Sequence, residues 1–116
     1  MAVKRIVANI NADRTGHAKR FYGDILDMYV VMDHGWIVTY GSDGPMTPQV
    51  SIACEGGSGT LVPDLSIEVD NLDEVYRRVY AAELPIEYGP KIEPWGVRRF
   101  YVRDPLGRLI NILSHE

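Results

Sequence analysis

The sequence predicts an α+β fold that repeats one βαβββ module twice, and three observations lead to this prediction. Short segments rich in β-branched and aromatic residues, typical of strands, fill much of the chain. Two helix-like segments share one apolar spacing, and the second lies 54 positions after the first, as Leu72 follows Ala18. A glycine-rich joint at residues 55–59 separates the two copies. We expect one domain of 116 residues, with modules at about 1–55 and 61–116.

The first module begins with a strand and a helix. Residues 3–10 are rich in β-branched side chains and end at the polar break Asn11-Ala12-Asp13, which suits the start of a helix. Five apolar residues then fall on one helical face, which predicts an amphipathic helix packed on a sheet: Ala18, Phe21, Tyr22, Ile25 and Leu26. Three strands complete the module, at residues 28–32, 36–40 and 49–54.

The second module repeats this order. Residues 65–69 alternate apolar and polar side chains. Either Asn71-x-x-Glu74 or Asp70-x-x-Asp73 then supplies helix-start chemistry that resembles a capping box. The apolar face of that helix is formed by Leu72, Val75, Tyr76, Val79 and Tyr80. Residues 85–92 are the candidate for an irregular strand, and the last two strands form a hairpin.

The hairpin combines residues 99–103, the turn Asp104-Pro105-Leu106-Gly107 and residues 109–113. Phe100 and Val102 should face the core, whereas Arg99, Tyr101 and Arg103 should face the other side of the sheet. Since each module has one helix for four strands, a helix covers one sheet face and leaves the other free. Two such faces would line a cleft, where we expect the function to lie.

Composition and charge narrow the class of function. With 12 basic and 16 acidic residues, the formal net charge of −4 gives no electrostatic footprint for nucleic acid or for an anionic membrane surface. No stretch of about 18 apolar residues is available to span a bilayer. Cys54 is the single cysteine, so we expect a buried structural thiol in a reducing compartment. The sequence thus favours a soluble cytoplasmic protein.

Two motifs add a family likeness. Phe21-Tyr22-x-x-x-Leu26 in the first helix, and Phe100-Tyr101-Val102-Arg103-Asp104-Pro105-Leu106-Gly107 near the end, resemble the vicinal oxygen chelate superfamily. This is the group of glyoxalases, bleomycin resistance proteins and extradiol dioxygenases. The resemblance implies the glyoxalase/bleomycin-resistance fold, in which two modules form a curved mixed sheet that lines a cleft. It also implies a small organic molecule as the ligand and a homodimer as the assembly.

The resemblance places the family's metal ligands at four positions of this chain. They fall at about Ile6, near Ser51 or Ala53, at Asp64 and at Asn111. Only Asp64 is a plausible ligand, because Ile6 has no donor atom and Asn111 offers a neutral oxygen that zinc and iron disfavour. We therefore expect no cofactor. The alternative is a displaced site for zinc, iron, manganese or nickel at Asp64, Glu68 and His115, with Glu68 as the candidate catalytic carboxylate.

Ten residues are candidates for binding the ligand. Aromatic walls with a few polar groups are typical of small-molecule sites, and Arg99 and Arg103 could pair with an anionic ligand group. The full set is Trp36, Tyr40, Asp64, Ser66, Glu68, Trp95, Arg99, Tyr101, Arg103 and Asn111. In the alternative interpretation the aromatic residues belong to a core or a dimer interface, and the charged residues face solvent.

Three functions remain open on the sequence. The leading hypothesis is a binding protein of the bleomycin-resistance type, in which capture of a small molecule is the function. The second is an enzyme with glyoxalase-like lyase or dioxygenase chemistry at the displaced metal site. The third is a subunit whose sheet faces serve assembly alone.

Overall fold

The structure is a computed structural model that describes residues 2–115, and it confirms two βαβββ modules. The strands are β1 (Val3–Asn11), β2 (Tyr29–Asp33), β3 (Ile37–Gly41), β4 (Gln49–Ala53), β5 (Leu65–Val69), β6 (Ile86–Ile92), β7 (Val97–Arg103) and β8 (Leu109–His115). The helical elements are a 3₁₀ turn (Thr15–Ala18), a π-helical segment (Lys19–Ile25) and the α-helix α1 (Leu72–Ala81). Across the described residues, none of the helices combines the length and the apolar character that a membrane crossing requires.

The chain forms two compact units with the same strand order. Residues 7–62 make up the N-terminal unit, and residues 2–6 with 63–115 make up the C-terminal unit. The order is β2-β3-β4-β1 in the N-terminal unit and β5-β8-β7-β6 in the C-terminal unit. In both units the first and last strands of the module pair in parallel, and the other neighbours are antiparallel. This correspondence is what a repeated module predicts.

The helical segment of the N-terminal unit departs from the prediction. Ala18 and Tyr22 pack against the core of the sheet, but Phe21, Ile25 and Leu26 are 50%, 63% and 49% exposed. The cause is the wider π winding, in which the amide of Leu26 donates to the carbonyl of Phe21, five residues earlier. Side chains three or four positions apart then no longer share one face. The prediction that all five apolar residues pack on the sheet was wrong.

The helix of the C-terminal unit follows the prediction more closely. Asn71 is its N-cap, and the side-chain oxygen accepts a hydrogen bond from the Glu74 amide at 3.1 Å. Leu72 is buried, whereas Tyr80, predicted on the same face, is 70% exposed. The core that the helix covers consists of Val69, Phe100, Val102, Ile110 and Ile112, with Val75, Tyr76 and Val79 packed against it.

The predicted β7–β8 hairpin is confirmed. Its turn is closed by Asp104, whose Oδ1 accepts from the amides of Leu106 at 2.9 Å and Arg108 at 2.8 Å. Gly107 supplies the positive φ of 82° that this turn needs. The hairpin register places Tyr101 opposite Asn111, and this pair lies on the side of the sheet away from α1.

A bulge in β6 brings the chain over β7. Tyr88 pairs with Tyr101 of β7, and the next paired residue of β6 is Lys91, opposite Arg99. The register shift lies between Tyr88 and Lys91, and it contains Gly89. Gly89 has a φ of +74°, and a Cβ there would lie 2.6 Å from the carbonyl oxygen of Arg99. Only glycine fits such an approach, and it allows the end of β6 to fold towards the side chain of Arg99.

Candidate ligand-binding site

The C-terminal unit has a polar sheet face on the side that α1 does not cover. Side chains alternate along a strand, so the neighbours of the core residues on β5, β7 and β8 point to this side. We call it the polar face, and its residues are Ser66, Glu68, Arg99, Tyr101, Asn111 and Leu113. The first two are half-buried and the other four are buried. Five of the ten candidates from the sequence, Ser66, Glu68, Arg99, Tyr101 and Asn111, are therefore brought onto one surface.

A buried ion pair organises this face. Arg99 Nε and Nη2 each lie 2.7 Å from Glu93 Oε2, and Arg99 Nη1 donates to the Tyr101 hydroxyl at 2.9 Å. The Tyr88 hydroxyl donates to the same Glu93 oxygen at 2.9 Å. The side chains of Arg99 and Glu93 are only 3% and 0% exposed. A buried charge is costly unless it is paired and hydrogen-bonded. Each of these two side chains therefore needs the other to remain charged in the buried site.

Three aromatic rings surround the guanidinium of Arg99. Its central carbon lies 5.2 Å from the ring centroid of Tyr88, 5.0 Å from that of Trp95 and 4.9 Å from that of Tyr101. Such contacts are attractive, and they strengthen when water is excluded. Trp95 is half-buried, so part of its indole ring is accessible. The guanidinium of Arg99 thus packs against two of the aromatic residues predicted to bind a ligand, Trp95 and Tyr101.

Both arginines predicted to bind an anionic ligand group are paired within the chain. Arg99 is paired with Glu93, as described above. Arg103 forms a two-point pair with Glu87, with Nε 2.8 Å from Oε2 and Nη2 2.7 Å from Oε1. The hydrogen bond from Arg103 holds the pKa of Glu87 below its usual value. The expectation that these guanidinium groups offer their charge to a ligand does not agree with this geometry.

Glu68, the candidate catalytic carboxylate, lies among three basic side chains. His115 Nδ1 is 2.9 Å from Oε2, Arg5 Nε is 3.2 Å from Oε1, and Lys4 Nζ is 3.7 Å from Oε2. Burial raises the pKa of Glu68, but the hydrogen bond from His115 and the three positive charges outweigh it. The net result is a pKa below the usual value, which favours an ionised carboxylate.

Asp64 does not join Glu68 and His115. Asp64 lies just before the start of β5, and its Oδ2 accepts a hydrogen bond from the amide of Leu109 at 3.3 Å. At about 3.3 Å per strand residue, the backbones of Asp64 and Glu68 are roughly 13 Å apart. Within residues 2–115, no group of three His, Cys, Asp or Glu side chains is placed to hold a metal ion. The alternative metal set predicted from the sequence is therefore not assembled.

A row of polar side chains crosses the strands of each unit. In the C-terminal unit, Asn111 Nδ2 donates to Ser66 Oγ at 3.1 Å, and Tyr101 is the next cross-strand neighbour. The N-terminal unit has a similar row of its own, in which the hydroxyl oxygens of Thr39 and Ser51 lie 2.7 Å apart on neighbouring strands. Thr39 could not be predicted from the sequence, because a serine and a threonine on two separate strands give no signal until the register of those strands is known.

The two aromatic candidates of the N-terminal unit have different surroundings. Tyr40 is 4% exposed and lies in the core under the helical segment, with its ring centroid 5.9 Å from that of Tyr22. This position conflicts with a role in ligand binding. Trp36 is half-buried and stacks on His34, with ring centroids 6.1 Å apart. Cys54 is exposed, and its thiol donates to the Trp36 carbonyl at 3.6 Å, so the prediction of a buried thiol was wrong.

These two units correspond to a known family. Residues 4–112 match the profile of the glyoxalase/bleomycin resistance protein/dioxygenase superfamily. The chain belongs to this superfamily. Its membership agrees with the repeated βαβββ units and with the motifs around Phe21 and Asp104. No curated protein matches this superfamily member.

Solved structures share the superfamily fold at low sequence identity. A protein described as an NAD-dependent benzaldehyde dehydrogenase from Legionella pneumophila has a TM-score of 0.75 at 16% identity, covering 97% of this chain and 100% of its own. A superfamily member from Vibrio splendidus has a TM-score of 0.68 at 20% identity, covering 97% and 99%. Methylmalonyl-CoA epimerase from Mycobacterium tuberculosis has a TM-score of 0.62 at 17% identity, covering 98% and 87%. At such identities these likenesses support the fold alone.

The superfamily often uses divalent metals, but most of the side chains at the positions implied for the metal ligands of this chain are poor metal ligands. Ile6 and Ala53 have hydrocarbon side chains, the Ser51 hydroxyl is buried against Thr39, and Asn111 is a neutral amide. Asp64 is the one carboxylate among the four positions, and it accepts from a backbone amide. Divalent zinc or iron prefers histidine, cysteine or carboxylate ligands. The residues at these positions do not fit the usual metal centre.

Proposed function

We propose that this superfamily member binds a small organic molecule at the polar face of its C-terminal unit, and that capture of the molecule is its function. The observation that carries the proposal is the buried Arg99–Glu93 pair with its three aromatic neighbours. This pair holds an indole and two phenols in place before any ligand arrives. Preorganised aromatic surfaces with a few fixed polar groups are typical of small-molecule sites. The proposal requires no cofactor.

Tryptophan fluorescence tests this function directly. The chain has two tryptophans, so emission from a Trp36→Phe variant reports on Trp95 alone. A library of small aromatic and heteroaromatic compounds is screened for a change in that emission and for a rise in melting temperature. We expect compounds that change both, and we expect Trp95→Ala in the wild-type background to weaken their binding. A screen in which no compound changes Trp95 emission would contradict the proposal.

A second candidate function has one observation in its favour. The contact between Glu68 and His115 joins a carboxylate to an imidazole, and such a pair can bind a divalent metal or move a proton. It would serve metal-dependent glyoxalase-like lyase or dioxygenase chemistry with zinc, iron, manganese or nickel. Asp64 lies too far away to act as the third ligand. Under this alternative the wild-type protein takes up a metal ion, and Glu68→Gln abolishes turnover and metal uptake. The binding function instead predicts the same ligand affinity with and without added metal.

We also propose that the protein is a homodimer, with a second copy covering an apolar surface of the N-terminal unit. Six apolar side chains between residues 21 and 31 are 44% to 63% exposed: Phe21, Ile25, Leu26, Tyr29, Val30 and Val31. Exposed apolar side chains concentrated in one segment of the chain are typical of interfaces. Resemblance to the superfamily supports a second copy as the partner.

Light scattering after gel filtration tests the dimer. We expect a dimeric mass at micromolar concentration, and a monomeric mass for the Phe21→Lys/Val30→Lys variant. Leu106→Lys is the matched control, because Leu106 is 84% exposed but lies in the β7–β8 turn. A monomeric mass for the wild-type protein would contradict the dimer.

We place the protein in the cytoplasm. An exposed single thiol, Cys54, is best preserved in a reducing compartment. The net charge of −4 supports small-molecule rather than nucleic-acid partners.

A further inference from the structure

Asn111 has a buried hydrogen-bond acceptor that the chain does not use. Within residues 2–115, its Oδ1 is buried and has no hydrogen-bond partner, whereas its Nδ2 donates to Ser66 Oγ. The residue is 7% exposed, so water has little access to it. An unmatched buried acceptor is destabilising, and native chains rarely keep one without a use. A group that satisfies this oxygen must donate a hydrogen bond.

The neighbours of Asn111 restrict the chemistry of that group. Arg99 and Arg103, the two arginines that share its side of the hairpin, are each paired with a glutamate. Tyr101, the cross-strand neighbour, accepts a hydrogen bond from Arg99. An anion at Asn111 would thus be repelled by the partial negative charge of its carbonyl oxygen. It would gain little from Arg99 and Arg103, because a glutamate already neutralises each of them. A hydrogen-bond donor would instead complete the polar row.

We propose that Asn111 Oδ1 recognises an N–H or O–H donor on an uncharged aromatic or heteroaromatic ligand. This inference rests on the proposed binding function and names the ligand class for the same face. The half-buried indole of Trp95 favours an aromatic body, and the unmatched oxygen favours a donor. A site that holds an unmatched acceptor rejects an analogue whose donor is missing, because the acceptor then stays unpaired.

Matched pairs of small probes test this selectivity. Phenol is compared with anisole, indole with 1-methylindole, and benzoate serves as the anionic probe. Backbone and side-chain amide signals of residues 66, 101 and 111 are followed by ¹⁵N NMR during each titration. We expect phenol and indole to bind roughly tenfold more tightly than their methylated partners, the size of one hydrogen bond in a buried site. Benzoate should bind more weakly than phenol.

Variants at Asn111 show whether the amide is the cause. In Asn111→Leu, which removes the acceptor, the affinity ratio within each pair should fall to about one. Asn111→Ala provides the same test in a smaller side chain if leucine disturbs the fold, and a native amide spectrum confirms folding for each variant. Leu106→Ala, at an 84% exposed position in the β7–β8 turn, is the control and should keep the preference for donors.

The outcomes separate this inference from the proposed function. If methylated probes or benzoate bind the polar face as tightly as phenol and indole, the donor recognition is overturned while the binding function stands. A donor preference that persists in both Asn111 variants also overturns it, because another group then makes the contact. If no probe perturbs residues 66, 101 or 111 at millimolar concentration, the binding site and the inference fail together.

Discussion

Substituting Glu93→Gln tests the physical basis of the polar face. Glutamine keeps the size of the side chain but removes the charge that faces Arg99, whose side chain is 3% exposed. Breaking a buried ion pair by removing one partner costs about 3–5 kcal/mol, because the other charge stays buried and uncompensated. A domain of this size has a free energy of unfolding of roughly 5–15 kcal/mol, so we expect a loss of about a fifth or more. The melting temperature should fall by roughly 10–20 °C.

Urea denaturation followed by circular dichroism measures this loss, and the chain offers a matched control. Glu87→Gln breaks the pair that Glu87 forms with Arg103, in which the Glu87 side chain is 37% exposed and that of Arg103 34% exposed. Because solvent screens exposed pairs, its effect should be a small fraction of that of Glu93→Gln. The double variant Glu93→Gln/Arg99→Met should recover part of the loss, since it removes the stranded charge. Equal effects of Glu87→Gln and Glu93→Gln would refute the reasoning.

Three further predictions concern the elements around this face. Gly89→Ala should destabilise the β6–β7 pairing, because its Cβ would lie 2.6 Å from a carbonyl oxygen, and faster hydrogen exchange of β6 amides would report it. Asn71→Ala should lower the free energy of unfolding by about 1 kcal/mol through loss of the α1 cap, measured by urea denaturation, and an unchanged value would contradict the capping role. The lowered pKa of Glu68 gives the folded protein a stabilising term that is fully present above the ordinary pKa of glutamate and is lost as the pH falls through the lowered value. Glu68→Gln should therefore flatten the acid limb of the stability curve, whereas parallel wild-type and variant curves would contradict this assignment.

Most of the fold could be predicted because its signals are local. Strand alternation, the Asn71 cap and the turn at Asp104 each depend on residues a few positions apart. The helical segment around Phe21 was the exception, because its apolar spacing indicates an α-helix and the chain adopts a π winding. The spacing of the five apolar residues between Ala18 and Leu26 fits an α-helix, so hydrophobic periodicity alone gives no sign of the π-helical winding.

The placement of the candidate residues on β7 was predictable, but their pairing was not. Alternation along β7 placed Arg99 and Tyr101 on one face, as the structure confirms. The partner of Arg99 was missed, because Glu93 reaches it through a bulge at Gly89 that leaves no clear pattern in the sequence. Tyr40 was assigned to ligand binding for its aromatic ring alone, although strand parity also allows the core position it occupies.

Ligand affinity before and after removal of metal ions tests the central claim most directly. A compound found through Trp95 emission is titrated calorimetrically into wild-type protein as purified, and again after treatment with a chelator. A binding function at the polar face that needs no cofactor predicts the same dissociation constant in both titrations. Loss of binding after chelation, with recovery on addition of one equivalent of zinc, iron, manganese or nickel, would contradict the claim and favour the metal-dependent enzyme.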